Sequence, residues 1–151
     1  MQIRSAHLSD VETLVTMGAH FVAQTAYAKT LAMSPTHLRL FAERCLTGQM
    51  ADSDILVSED EEGITGMIGV ILAPHPFSGE PVAAELFWWV EPAKRGHGIR
   101  LMHAAEAWAT AHGATKFQMV APNDRVARLY ERRGYTRLEA TFQRSLSCRQ
   151  E

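Results

Sequence analysis

Val90-Glu91-Pro92-Ala93-Lys94-Arg95-Gly96-His97-Gly98-Ile99-Arg100-Leu101-Met102 is the stretch on which the reading of this chain turns. An apolar strand runs into a loop with two glycines, and the loop opens a helix. Gly96 and Gly98 carry no side chain, so a ligand can approach the backbone closely. The first N–H groups of a helix lack internal partners and lie at the positive end of its dipole. Together these features suit a pyrophosphate, and Lys94, Arg95 and Arg100 add positive charge. A plain glycine turn before a helix has the same spelling, so the loop alone does not decide the matter.

Working outward, residues 82–90 read as a strong strand with an aromatic end, closed by Pro92. Residues 98–112 read as a helix with Leu101, Ala104, Ala105 and Trp108 on one face and Gly113 as its C-cap. A strand over 116–120 and a helix over 123–133, ending at Gly134, come next. Residues 135–146 read as extended. Upstream, residues 3–6 form a strand. The following helix is opened by Ser9, which Glu12 can answer as a capping box. Val11, Leu14, Val15, Gly18 and Val22 give that helix one buried stripe. Ser34-Pro35 starts a second helix with Leu38, Phe41 and Cys45 on its apolar face. Residues 55–58 and 64–73, joined by a Glu-Glu-Gly turn, read as a hairpin. The order β-α-α-β-β-β-α-β-α-β predicts one α/β domain over residues 1–151, an α+β mixed sheet with helices packed on it and a polar tail from about residue 147.

A second segment, Asn123-Asp124-Arg125-Val126-Ala127-Arg128-Leu129-Tyr130-Glu131-Arg132-Arg133-Gly134-Tyr135, follows on this frame. The pair of segments resembles the GCN5-related N-acetyltransferase (GNAT) superfamily. Asn123, Leu129, Tyr130, Gly134 and Tyr135 fall where that family's Asn…Leu-Tyr…Gly-Phe/Tyr pattern puts them. The aromatic run Glu85-Leu86-Phe87-Trp88-Trp89-Val90 is similar to phage-encoded and bacterial members. One departure stands out. The family's loop reads Val-x-Pro-x-x-Arg/Gln-x-x-Gly-x-Gly/Ala, and counting from Val90 and Pro92 puts Arg100 at the last position. Counting back from the helix makes Gly98 the last glycine and Leu101-Met102 the usual apolar pair. That register implies a loop about two residues short.

The resemblance implies acyl transfer from acetyl-CoA to an amine. The backbone of residues 88–90 would pair with the pantetheine and polarise the thioester carbonyl. Trp88, Trp89, Val90, Arg95, Gly96, His97, Gly98, Ile99, Arg100 and Asn123 are the expected cofactor-binding set. Tyr130 matches the family's general acid for the departing thiolate. A buried core tyrosine with a bonded hydroxyl reads the same way from its helix face. Glu85 is the candidate base, since a carboxylate among aromatics has its pKa raised by desolvation. Related enzymes place the glutamate one residue earlier, and a Glu on an exposed sheet face is the alternative. Asn123 can equally be a helix cap, and His97 is expected to face solvent. Trp88 and Trp89 alternate across the strand, so one should be core and the other could line the acceptor cleft.

Composition narrows the remaining classes. The chain has 151 residues, 46% of them hydrophobic and 21% charged, as in an ordinary globular domain. Lysine plus arginine number 15 against 17 acidic residues, a net charge of −2, so no basic excess points to nucleic acid. Cys45 and Cys148 form no cysteine–histidine cluster, and the histidines (His7, His20, His37, His75, His103, His112 and His97) show no metal spacing. No metal is expected. The pair of cysteines reads as reduced thiols, and no apolar run approaches a bilayer span, so a cytoplasmic protein without a membrane partner is expected. Residues 25–33 and 74–81 and the C-terminal strands would set the acceptor. An open site would suit a peptide N-terminus, a lysine or a polyamine-like amine, small molecule or protein. The aromatic strand would also allow a homodimer. The competing reading is a non-catalytic acyl-CoA-binding or protein-interaction module that keeps the fold without the chemistry.

Overall fold

A computed structural model describes residues 1–146. Five strands, β1 (Gln2–Ser5), β2 (Ser53–Asp60), β3 (Gly63–Pro74), β4 (Pro81–Val90) and β5 (Lys116–Gln118), form one sheet in the order β1-β2-β3-β4-β5. The first three pairings are antiparallel and β4–β5 is parallel. The helices are α1 (Val11–Ala23), α2 (Pro35–Leu46), α3 (Gly98–Ala111) and α4 (Asp124–Arg132). The chain forms two compact units, residues 1–120 and residues from Ala121 onward.

In the first unit, the period-2 alternation of the central strands feeds two cores. Ile55, Val57, Met67 and Trp89 pack with Leu14 and Met17 of α1 and Ala42 and Cys45 of α2. Leu56, Ile68 and Val70, on the opposite face, pack with Leu101 and Ala105 of α3. A sheet covered on both faces needs apolar residues at consecutive positions, which is why β2 and β3 read as nearly continuous hydrophobic runs. Ser34 caps α2 as expected, its hydroxyl accepting the His37 N–H at 3.2 Å.

Ser9 does not cap α1. It lies in a 3-10 turn, Leu8–Asp10, and α1 begins at Val11. The carboxylate of Asp10 makes no bond to the first turn of α1; it closes the 3-10 turn instead, accepting from the His7 N–H at 2.7 Å and from the Arg4 guanidinium at 2.7 Å. An ionised acceptor makes the stronger bond, and Arg4 links it on to Glu59 of β2. The Arg4 guanidinium holds the Asp10 carboxyl below the usual carboxylate range.

In the second unit, Asn123 caps α4 by accepting the Val126 N–H at 3.1 Å. Gly134, at φ 87°, ends the helix, with Tyr135 N–H donating back to the Tyr130 carbonyl at 3.1 Å. The strand expected over 135–146 is not formed: none of these described residues belongs to a strand. Its apolar alternation is local, but a strand also needs a neighbour to take its N–H and C=O groups. The polar tail expected from about residue 147, Cys148 included, lies outside the described residues.

Candidate active site

The parallel ladder between β4 and β5 is short. It pairs Val82 with Lys116, Ala83 with Phe117 and Ala84 with Gln118, and there it stops. β4 continues to Val90, so from Glu85 onward the two strands part. A bulge sits at this point: Val70 pairs with Glu85 while the adjacent Gly69 pairs with Phe87, leaving Leu86 as the extra residue. Bulges bend a strand and re-aim its side chains, and they recur beside active sites. Gly69 admits the bend, since a Cβ there would lie 2.6 Å from the Phe87 ring.

Glu85 occupies the vertex of the opening. Its Oε2 accepts the N–H of Val120 at 3.0 Å, across the gap. Burial pushes its carboxyl above the usual carboxylate range, and the Val120 hydrogen bond offsets part of that rise. A half-buried carboxyl with one amide donor is suited to taking and releasing a proton.

Trp88 and Trp89 point to opposite faces, and each packs into a core. Trp89 is 5% exposed and meets Phe21 edge to face at 6.2 Å. Trp88 packs with the Leu101 cluster under α3. Trp89 is thus the core ring of the pair, and Trp88 stays half-buried. A Cβ on Gly98 would lie 3.2 Å from the Trp88 ring and 3.5 Å from Val90, so Gly98 lets the first turn of α3 close on β4.

The glycine loop itself is wound into a 3-10 turn, Pro92–His97, leading directly into α3. The Gly98 N–H donates to the Arg95 carbonyl, so that amide is already engaged. Gly96 has open space where a Cβ would stand, Ile99 is half-buried, and Arg95 and Arg100 are exposed. The Arg95 guanidinium lies 5.8 Å from the centre of the Trp89 ring. Lys94 is not available as a loop cation: its ammonium pairs with Asp60 at 2.8 Å and with Glu62, fastening the loop to the β2–β3 turn. His97 does not simply face solvent. Its Nδ1 lies 3.3 Å from the Thr65 hydroxyl, which is 3.0 Å from the buried Ser58 hydroxyl. His20 Nδ1, on α1, meets Glu91 at 2.8 Å just past the end of β4.

In the second unit, Tyr130 is 5% exposed, with its ring centre 5.6 Å from that of Tyr135. Asn123 is the α4 cap, the alternative left open by its position in the sequence. Cys45 is buried, its S–H donating to Ser53 at 3.3 Å, and burial pushes its thiol pKa up, which makes it a poor nucleophile. Among the described residues no group of His, Cys, Asp or Glu gathers that could hold a metal ion. No helix there is long and apolar enough to cross a membrane.

The bulge at Leu86, the Lys94 clamp and the Thr65–His97 contact escaped the sequence reading. Each joins residues at least 30 positions apart or depends on register, so no local pattern signals it.

Fold and site together define a class: mixed α+β domains with helices on both sheet faces and a parallel strand pair that opens beside a loop–helix junction. The model of the acetyltransferase (GNAT) family matches residues 21–135, and the chain belongs to that family. Solved structures agree on the fold. A transcriptional regulator from Bacillus halodurans C-125 is 22% identical at a TM-score of 0.76, over 96% of this chain and 99% of that one. The ribosomal-protein-alanine N-acetyltransferase from Brucella melitensis biovar Abortus 2308 is 17% identical at 0.70, over 97% and 100%. An aminoglycoside acetyltransferase from an uncultured soil metagenomic sample, solved with trehalose, is 16% identical at 0.73, over 97% and 96%. Among curated proteins, none matches this chain.

Proposed function

We propose that this chain is an acetyl-CoA-dependent N-acetyltransferase acting on a primary amine, as a single functional domain in the cytoplasm. The parting of β4 from β5 at Ala84, with Glu85 at its vertex, carries the reading. Acetyl-CoA supplies the acyl group as an activated thioester. Backbone groups of Trp88, Trp89 and Val90, on the stretch of β4 beyond its last β5 partner, receive the donor's amide chain and stabilise charge developing on the thioester oxygen. Arg95 and Arg100, with the backbone at Gly96, His97 and Ile99, hold its phosphates. Gly98 serves by lacking a side chain, and Asn123 by starting α4.

Glu85 removes a proton from the ammonium of the acceptor. The amine nitrogen then bonds to the acyl carbon, the carbon–sulfur bond breaks, the Tyr130 hydroxyl protonates the departing thiolate, and the second proton lost by the new amide nitrogen passes through solvent to restore the Tyr130 hydroxyl. The names of two structural neighbours point to two unlike acceptors, a ribosomal-protein alanine and an aminoglycoside. Residues 25–33 and 74–81 are the segments we assign to acceptor choice.

Two observations favour the second reading, a non-catalytic acyl-CoA-binding or protein-interaction module: Lys94 is taken by Asp60 and Glu62, and the Gly98 amide by Arg95. Tyr130→Phe separates the two. For the enzyme, kcat falls at least about tenfold while acetyl-CoA affinity stays unchanged, as when a transition-state proton donor is lost. Unchanged turnover removes Tyr130 from the mechanism.

A further inference from the structure

A second bulge, near the start of β3, sets the direction of Thr65. Ser58 of β2 pairs with Gly66 and Glu59 with Ile64, so Thr65 is the extra residue between them. Thr65 is 5% exposed, and its hydroxyl lies 3.0 Å from that of the fully buried Ser58. Room for the pair comes from Gly66, where a Cβ would lie 2.8 Å from Ser58 Oγ and 3.0 Å from the Trp89 carbonyl oxygen. Two buried, mutually bonded hydroxyls can be replaced by apolar groups of the same shape at little cost, so packing alone does not call for them.

Thr65 reaches the loop of residues 91–97 at both of its ends. Its carbonyl accepts the Glu91 N–H at 2.9 Å, one step past the last β3–β4 pair, Gly66 with Val90. Its hydroxyl lies 3.3 Å from Nδ1 of His97, the residue before α3. Between these points Lys94 ties the same loop to Asp60 and Glu62. The hydrogen bonds around the hydroxyl can be counted, since it has one proton and two lone pairs. The proton goes to the Ser58 carbonyl at 3.3 Å, because a carbonyl can only accept. The lone pairs are then left for the Ser58 O–H and the His97 Nδ1–H. A neutral ring held in this way is the Nδ1–H tautomer, with Nε2 unprotonated.

We infer that Thr65 is the positioning residue of this loop. Its carbonyl and its hydroxyl, the latter backed by Ser58, fix the two ends of residues 91–97 and set the His97 ring in one tautomer. The backbone that leads into α3 is thereby held in place before any ligand arrives. That this loop receives the phosphates of acetyl-CoA rests on the proposed function; that Thr65 fixes it does not.

Thr65→Val keeps the shape and removes the hydroxyl, and Thr65→Ser keeps the hydroxyl. Nitrogen-15 NMR of the full chain, labelled at histidine and held at about pH 8.5, well above the ordinary histidine pKa, reads the tautomer. His97→Gln assigns the signal. The expected result is Nδ1–H in the parent and in Thr65→Ser, and a signal averaged over both tautomers in Thr65→Val. An Nε2–H ring in the parent, which needs no variant to fold, overturns the inference, as does a signal that Thr65→Val leaves unchanged. Titration of the same chains with acetyl-CoA gives the second readout. The dissociation constant should rise about fivefold to tenfold in Thr65→Val, the scale of one hydrogen bond, and recover in Thr65→Ser. Equal affinity in the parent and Thr65→Val overturns the positioning role. A parent that binds no acetyl-CoA refutes the proposed function instead, and the NMR result then decides by itself whether Thr65 sets the ring.

Discussion

At the scale of single residues, Glu85 bears the most weight. It is half-buried beside a bulge, with the Val120 amide as the donor that keeps part of its charge. A carboxyl whose pKa is raised on folding holds its proton more tightly in the folded state. Its contribution to stability is present below the ordinary carboxylate pKa and is lost as pH rises through the raised one. Two outcomes follow for Glu85→Gln. The amide keeps an acceptor for Val120 but cannot ionise, so the thermal midpoint at pH 7 should equal or exceed that of the parent. Turnover should fall by about two to four powers of ten, and the acidic limb of the kcat/KM profile should vanish with the base. A large loss of stability with an unchanged pH profile would make Glu85 structural.

At the scale of elements, the caps and periodic faces were legible in the sequence because they are local. Ser34 and Asn123 both cap the helices they precede, and α3 starts at Gly98, where the glycine spacing puts it. Ser9 instead falls in the 3-10 turn before α1, where the Asp10 carboxylate accepts from the His7 N–H and from Arg4 of β1. The Arg4–Glu59 bond that extends this network to β2 joins residues far apart in the chain and leaves no local trace. The same holds for the clamp of Lys94 on Asp60 and for His97 on Thr65. Gly98 shows how an element boundary serves the site. Gly98→Val would press its side chain on Trp88 and Val90, costing about 1–3 kcal/mol by overpacking. The displaced first turn of α3 should weaken acetyl-CoA binding as well, so thermal melting and binding should change together. A variant that melts early but binds normally would separate Gly98 from the site.

At the scale of the whole molecule, the order of elements up to α4 and the mixed sheet were readable from pattern and resemblance, whereas the last strand was not completed. Alternation at Leu138, Ala140 and Phe142 announces a strand, but pairing belongs to whichever edge receives it. The opening between β4 and β5 is equally non-local, since it depends on where a three-residue parallel ladder ends. That opening, beside the Arg95–Arg100 turn, is the basis for assigning acetyl-CoA as the donor. Calorimetric titration of the full chain with acetyl-CoA, with CoA and adenosine 3′,5′-bisphosphate alongside, tests that assignment most directly. Binding of acetyl-CoA in the micromolar range is the predicted result. Absence of binding up to millimolar concentration would contradict it and leave the fold without the proposed chemistry.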